Sequence, residues 1–174
     1  MSTCCKAVIF DLDGTLLDTI DDLSASMNHT LALFGLPTRE RKHHENSVGN
    51  GIRKYSERCI QKSDLNDAFL DEFVSAVVSH YRKNSTIKTV PYDGILELLE
   101  FLKSQNILIN ILSNKRDDFV KELNDYYFKE FDFKCAYGEI TGGPKKPAPD
   151  MAFKIAEECG VLPSEILFVG DSIY

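Results

Sequence analysis

The chain has 174 residues, of which 43% are hydrophobic and 27% are charged. This composition is typical of a globular protein and argues against intrinsic disorder and a fibrous fold. With 20 lysines and arginines against 27 aspartates and glutamates, the net charge is −7, so the sequence offers no basic stripe for a phosphate backbone and nucleic acid is a poor candidate partner.

Apolar runs and cysteines narrow the class of protein further. The longest apolar runs, such as residues 7–10 and 166–169, are far shorter than the ~20 residues that span a bilayer, so no membrane contact is expected. The N-terminus shows no apolar core of a signal peptide, so secretion is not expected either. The odd number of cysteines and the absence of a C-x-x-C pair favour reduced thiols in the cytoplasm over a disulfide framework or a zinc site.

Two segments at the start of the chain have clear patterns. The apolar run at 7–10 stops abruptly at Asp11-Leu12-Asp13-Gly14-Thr15, which is typical of a buried parallel strand followed by a turn. Apolar residues then recur at spacings of three and four from Ile20 to Phe34 and predict an amphipathic helix that Gly35 ends. The same spacing predicts a second helix from Asp64 to about Arg82.

Shorter features separate these two helices. Thr38-Arg39-Glu40 is typical of a capped helix start, and the charged residues around His43-His44 predict a solvated face rather than a metal site. Gly49-Asn50-Gly51 predicts a loop, for which a plain helix connection and a substrate-gating role are equally open. Residues 18–86 are therefore predicted to form an all-helical block.

From Val90 onward, strands alternate with helices, which predicts a parallel α/β sheet with the helical block inserted after its first strand. Loops are predicted at Ser113–Lys115 and at residues 142–149, where glycines and prolines break regular structure. The predicted elements in chain order are a turn at Pro91–Gly94, a helix carrying Ile95 to Leu102, a strand at Ile107–Leu112, a helix that Asp117 caps, a weak strand at Phe133–Tyr137, a helix at Asp150–Cys159 and a buried strand at Ile166–Val169.

Polar clusters at the ends of the predicted strands carry the chemistry. They are Asp11-x-Asp13-Gly14-Thr15, Ser113-Asn114, Lys146 in the proline-rich loop, and Asp171. Ligands of an open parallel sheet bind outside the carboxyl ends of its strands, so we expect these clusters to converge. Carboxylates of the type that magnesium prefers, a lysine and a hydroxyl together predict a phosphate-handling site. A lone D-x-D would more often be structural, but the coincidence of all four clusters favours a functional site.

The four clusters resemble the motifs of the haloacid dehalogenase superfamily. Lys145 is one residue out of register with the motif lysine and is the weaker candidate for it. The matching segments are Asp11-Leu12-Asp13-Gly14-Thr15-Leu16, Ile111-Leu112-Ser113-Asn114, Lys146-Pro147-Ala148-Pro149 and Gly170-Asp171-Ser172. Two further segments, Val48-Gly49-Asn50-Gly51 and Val90-Pro91-Tyr92-Asp93-Gly94, resemble phosphoglycolate phosphatases more narrowly.

The resemblance implies a fold and a division into domains. The fold is α/β, with a three-layer Rossmann-like parallel core formed by residues 1–17 and 87–174 and an all-helical cap at residues 18–86. The fourth motif of the family continues with a second acidic residue about four positions after Asp171, beyond Tyr174 where this sequence stops. The expectation is therefore that the C-terminal part of the core is missing, which would leave the last strand at an open edge of the sheet.

The resemblance also implies a role for each motif residue. Asp11 would be the nucleophile and Asp13 the general acid and base. Thr15, Ser113, the backbone amide of Asn114 and Lys146 would contact the phosphate. Mg²⁺ would be held by the Asp11 carboxylate, the Asp13 backbone carbonyl and Asp171.

The implied function is a Mg²⁺-dependent phosphatase that acts on a small phosphorylated metabolite, with 2-phosphoglycolate as the best single candidate. A sugar-phosphate mutase that resembles β-phosphoglucomutase is the alternative within the same fold. A catalytically silent binding or regulatory protein is the alternative from another class. A monomer or a homodimer is expected in each case.

Overall fold

The computed structural model describes residues 5–60 and 66–171, and these divide into two compact units. The described residues of one unit are 5–17 and 91–171, and those of the other are 18–60 and 66–90. The elements in chain order are β1 (Ala7–Phe10), β2 (Leu17–Asp18), α1 (Ile20–Leu33), α2 (Arg41–Glu45), α3 (Ile52–Cys59), α4 (Asp67–Asn84), β3 (Val90–Pro91), α5 (Ile95–Ser104), β4 (Leu108–Arg116), α6 (Asp117–Tyr127), β5 (Cys135–Glu139), α7 (Asp150–Cys159) and β6 (Ile166–Val169).

A parallel sheet with the strand order β5-β4-β1-β6 frames the first unit. β1 lies inside the sheet and pairs in parallel with β4 on one side and with β6 on the other. All four residues of β1 are buried, which is why this strand reads as an unbroken apolar run. The predicted parallel α/β sheet is confirmed. The carboxyl ends of β1, β4 and β6 therefore meet at one edge of the sheet.

Alternating side chains of β1 supply the two faces of the core. Val8 and Phe10 belong to a cluster that includes Leu99 of α5 and Val120 of α6. Ile9 points to the opposite face and packs in a separate cluster that contains residues of β4, β5 and α7. Helices thus cover both faces of the sheet, and the three-layer arrangement is confirmed.

β6 and β4 depart from the predicted pattern. The strand Ile166–Val169 was expected to be buried and to lie at an edge of the sheet. β6 is an edge strand with one neighbour in the described sheet, as expected, but Leu167 is 54% exposed, so the strand is not buried throughout. The predicted loop at Ser113–Lys115 is wrong, because β4 continues through these residues to Arg116. Asp117 does not cap α6: its Oδ1 accepts a hydrogen bond from the Gly138 N–H at 3.0 Å instead.

The second unit is helical, and α1 and α4 make its main packing contact. α4 begins at Asp67, after Asn66, whose side chain accepts a hydrogen bond from the Phe69 N–H at 2.9 Å and so caps the helix. The predicted start of this helix at Asp64 lies outside the described residues. None of the helices in the described residues is long and apolar enough to cross a membrane.

His44 contradicts the expected solvated face, because its side chain is fully buried in the helical unit. Its Nε2 lies 3.2 Å from the Arg39 carbonyl oxygen, which can only accept, so Nε2 carries the proton. The other ring nitrogen, Nδ1, therefore accepts a hydrogen bond from the Tyr55 hydroxyl at 2.7 Å. The neighbouring His43 is exposed, as expected. Neighbouring residues of a helix point in different directions, so the His44 ring of α2 is buried while the His43 ring is exposed.

We expect His44 to make the stability of the protein depend on pH. Burial lowers the pKa of His44 below its usual value. The unfolded chain binds a proton near pH 6.5 and the folded chain does not, so the free energy of unfolding should fall as the pH drops below about 6.5, by up to about 1.4 kcal/mol per pH unit. Urea titrations between pH 7 and pH 5 measure this slope, which should be shallower for His44→Gln.

The matched control is His43→Gln, which removes an exposed histidine from the same helix and should retain the wild-type slope. Other titrating groups, His80 and Asp11 among them, are unchanged in all three proteins, so the difference in slope isolates His44. Equal slopes for wild type and His44→Gln would contradict the expectation.

Candidate active site

Asp11 is the first residue after β1 and lies at the carboxyl edge of the sheet. Its N–H donates to the Val169 carbonyl oxygen at 2.9 Å, which ties its backbone to the end of β6. Its Oδ1 accepts a hydrogen bond from the Leu12 N–H at 2.7 Å. Only 7% of the residue is exposed. The sheet therefore holds a carboxylate in a defined position and largely away from water.

Lys146 provides the counter-charge for Asp11. Its Nζ lies 2.5 Å from Asp11 Oδ2, and both side chains are 10% exposed. The adjacent Lys145 instead forms an ion pair with Glu139 and is 40% exposed. Of the two lysines in the proline-rich loop, the structure brings Lys146 to the nucleophile position, which is the one that the K-P-x-P register favours.

Asn114 fixes the loop that carries Lys146. The Lys146 N–H donates to Asn114 Oδ1 at 2.9 Å, and Asn114 Nδ2 donates to the Lys146 carbonyl oxygen at 3.2 Å. The carbonyl oxygen and the amide nitrogen of the Asn114 side chain therefore both bind the backbone of Lys146. The expected contact of the Asn114 backbone amide with phosphate stays a prediction, while the Asn114 side chain positions Lys146.

The charge on Asp11 is set by opposing effects. Burial raises the pKa of the Asp11 carboxyl above its usual value, while Lys146 and a hydrogen bond from Ser113 act to lower it. The Asp13 charge adds a smaller rise to the pKa of Asp11. A buried carboxyl group of raised pKa whose charged form is stabilised by a neighbouring ammonium is suited to nucleophilic attack.

Asp13 has a partner that the motif pattern did not indicate. Lys115 Nζ lies 2.9 Å from Asp13 Oδ1 and 3.1 Å from Asp13 Oδ2. The side chain of Lys115 is 5% exposed and that of Asp13 is 17% exposed. A signal for Lys115 was present in the spacing: Lys115 follows Ser113 by two residues, as Asp13 follows Asp11, and residues two apart in a strand face the same side.

Gly14 and Asp171 approach each other closely. Gly14 has a φ of +78°, a backbone conformation that favours glycine, and a Cβ at this position would lie 2.8 Å from Asp171 Cγ. Asp171 is exposed and follows Gly170, at the end of β6. The Asp171 carboxylate is therefore brought to the turn that carries Asp11 and Asp13.

Thr15 is placed on the same turn. Its Oγ1 is buried and has no hydrogen-bond partner among residues 5–60 and 66–171. Buried hydroxyl groups are nearly always hydrogen-bonded, so an unpaired one at this turn calls for a ligand atom. The contact of Thr15 with phosphate stays a prediction, and this observation supports it.

The carboxyl edge of the sheet carries oxygen atoms of the kind that bind magnesium. No group of three or more His, Cys, Asp or Glu side chains in the described parts of the chain could hold a metal ion. The donors expected here include two such side chains, Asp11 and Asp171, and the third is the backbone carbonyl of Asp13. All of these donors are the hard oxygen atoms that Mg²⁺ prefers, and it normally keeps several waters besides. The donor chemistry fits the ion.

The edge where Lys115 and Lys146 meet the two aspartates depends on one glycine of β5. The pairing of β4 with β5 shifts register between Leu112 and Arg116, so the end of β4 is irregular. A Cβ at Gly138 would lie 2.5 Å from the Lys115 carbonyl oxygen and 2.5 Å from Asp117 Cα. Both are backbone atoms of the neighbouring segment. The absence of a side chain at Gly138 therefore allows β4 to take the path that positions Lys115.

A three-layer α/β core with two aspartates and a buried lysine at the carboxyl edge of its sheet is typical of hydrolases that handle phosphoryl groups. Residues 8–174 match the family described as Haloacid dehalogenase-like hydrolase. The chain belongs to this family, and its similarities place it with the family's phosphatases.

Several proteins with assigned names show which members of this family the chain resembles. The chain is 33% identical to a phosphoglycolate phosphatase of Aquifex aeolicus over 96% of its own length and 76% of the relative's. It is 32% identical to a phosphoglycolate phosphatase of Pseudomonas putida over 96% of its own length and 62% of the relative's. The crystal structure of a predicted phosphoglycolate phosphatase from Haemophilus somnus superposes with a TM-score of 0.89 at 27% identity, covering 98% of this chain and 78% of that one.

We expect Gly138→Ala to destabilise the protein. The new methyl group would meet backbone atoms that cannot rotate away, and overpacking of this kind costs about 1–3 kcal/mol of the free energy of unfolding. Gly170→Ala is the matched control, because a Cβ there would lie 3.6 Å from its nearest neighbours, an ordinary contact. Urea denaturation compares the two variants, and equal stabilities would contradict the steric explanation.

Proposed function

We propose that this chain is a Mg²⁺-dependent phosphatase that hydrolyses a small phosphorylated metabolite, with 2-phosphoglycolate as the leading candidate. The observation that carries the proposal is the buried Asp11 carboxylate held 2.5 Å from Lys146 at the carboxyl edge of the sheet. The names of the relatives from Aquifex aeolicus and Pseudomonas putida support the choice of substrate. The monomeric or homodimeric state and the cytoplasmic location stay predictions.

In the first step, a carboxylate oxygen of Asp11 attacks the phosphorus atom of the ester and forms an aspartyl-phosphate. The bond from phosphorus to the ester oxygen breaks, and the leaving alcohol takes a proton from the Asp13 carboxyl group. Lys146 and the hydroxyl groups of Ser113 and Thr15 would stabilise the charge on the phosphoryl oxygens.

In the second step, Asp13 accepts a proton from water as the water oxygen attacks phosphorus. The bond between phosphorus and Asp11 breaks, which restores the Asp11 carboxylate and releases inorganic phosphate. One residue thus serves as acid in the first step and as base in the second, which requires that its carboxyl group remain close to the reacting oxygen in both.

Mg²⁺, when bound by Asp11, Asp171 and the Asp13 carbonyl, would neutralise the charge that nucleophile and phosphate share. Repulsion between one pair of like charges at 4 Å is about 4 kcal/mol at an effective dielectric constant of 20, so an unscreened approach would be slow. Lys146 supplies a part of this compensation from the protein itself.

We expect Asp11→Asn to abolish hydrolysis. The amide retains the size of the side chain and an oxygen for the Lys146 ammonium, but it lacks the nucleophilic charge. Release of phosphate from 2-phosphoglycolate in the presence of Mg²⁺ should fall by at least about 10³-fold, to the uncatalysed background. Substantial turnover by a folded Asp11→Asn protein, with an unchanged metal requirement, would contradict the covalent mechanism.

Lys146 and Lys145 form a matched pair for a second test. Lys146→Ala should reduce kcat/KM by about 10²-fold or more, because it removes a preorganised charge from the phosphate site. Lys145→Ala should change kcat/KM by no more than about twofold, since its ion pair with Glu139 is partly exposed and such pairs contribute little. Phosphate release measured over a range of substrate concentrations gives both values. An equal loss for the two variants, or a larger one for Lys145→Ala, would overturn the assignment.

A further inference from the structure

Three successive residues at the end of β4, Ser113, Asn114 and Lys115, each contact a different part of the site. The Ser113 side chain hydrogen-bonds to Asp11, and the Ser113 Oγ also accepts the Lys115 N–H at 3.3 Å. Asn114 holds the backbone of Lys146. Lys115 reaches both oxygens of Asp13. Ser113 and Asn114 therefore act on Asp11 and on the loop of Lys146, and the function of the contact between Lys115 and Asp13 is the remaining question.

The Lys115–Asp13 contact is a well-defined one. The ammonium lies within 3.1 Å of both carboxylate oxygens, so it restricts the rotation of the carboxylate as well as its position. The Lys115 side chain is 5% exposed, so water does not compete strongly for its hydrogen bonds. The irregular path of β4, which Gly138 permits, brings the lysine to this place.

We infer that Lys115 is a positioning residue that holds Asp13 in the orientation from which it transfers protons. This inference rests on the proposed function. An acid that must protonate one oxygen and later deprotonate another is useful only if its carboxyl group stays in reach of both, and misplacement by 1 Å can cost about 10²-fold in rate. Lys115 would exert this effect through its ion pair with Asp13.

Two substrates with different leaving groups separate this role from a purely structural one. An alkyl phosphate such as 2-phosphoglycolate needs a proton on its leaving oxygen, whereas the phenolate of p-nitrophenyl phosphate leaves without one. The ratio kcat/KM covers the steps up to the departure of the leaving group, so it reports Asp13 as an acid and not as the later base. A disturbed acid therefore lowers kcat/KM for the alkyl ester selectively.

The variant to test is Lys115→Met, which keeps the length of the side chain and removes its ammonium. We expect kcat/KM to fall by about 10- to 100-fold for 2-phosphoglycolate, a part of the full contribution of general acid catalysis, and by less than about threefold for p-nitrophenyl phosphate. Lys121→Met is the matched control, since Lys121 forms an exposed ion pair with Asp117, and it should leave both ratios unchanged. Equal losses on both esters would overturn the inference.

A double-mutant cycle tests whether Lys115 acts through Asp13. In an Asp13→Asn background the proton-transferring group is absent, so Lys115→Met should lower kcat/KM for 2-phosphoglycolate by no more than about twofold further. Additive losses would show that Lys115 acts by another route and would overturn the inference.

A structural measurement remains decisive whether or not the proposed substrate is correct. Crystal structures of the wild type and of Lys115→Met should show the Asp13 carboxylate rotated away from its wild-type position in the variant. An unmoved Asp13 carboxylate would overturn the positioning role. A rotated carboxylate in a protein that hydrolyses neither ester would support the positioning role and count against the proposed phosphatase activity alone.

Discussion

The site depends on keeping two carboxylates close together at the buried edge of a parallel sheet. Asp11 and Asp13 are two residues apart, and burial, with a smaller effect from the Asp13 charge, raises the pKa of Asp11. Lys146 and Lys115 counter these effects, each by an ion pair with one aspartate at 2.5 Å and 2.9 Å respectively. The two lysines come from different parts of the chain, so the site exists only when the proline-rich loop and the end of β4 are both in place.

The end of β4 contributes more to the site than one motif serine. Ser113 and Lys115 face Asp11 and Asp13, while the intervening Asn114 holds the loop of Lys146. Strand alternation explains this division, because successive side chains point to opposite sides. The absence of a side chain at Gly138 lets the backbone of β4 follow its irregular path. A change at Gly138 of β5 is thereby linked to the position of Lys115 and of the Asp13 carboxylate that it contacts.

The helical unit has a buried polar contact of a different kind. The His44 ring lies between the Tyr55 hydroxyl and the Arg39 carbonyl, which together fix one tautomer. A buried neutral histidine opposes unfolding only while the solution is not acidic enough to protonate the unfolded chain. The stability of this unit is therefore tied to pH by a residue outside the proposed phosphatase site.

Apolar periodicity and breaker residues are local signals, so the sequence was sufficient to predict the parallel α/β class, the two long helices of the inserted block and the strand ends that precede Asp11 and Asp171. Its choice of Lys146 over Lys145 rested on the register of the K-P-x-P loop. Only the tertiary structure decided that β4 extends through Lys115, that this lysine reaches Asp13, and that His44 is buried while His43 is exposed. These features arise from contacts between residues far apart in the chain, which no local pattern of residue types encodes.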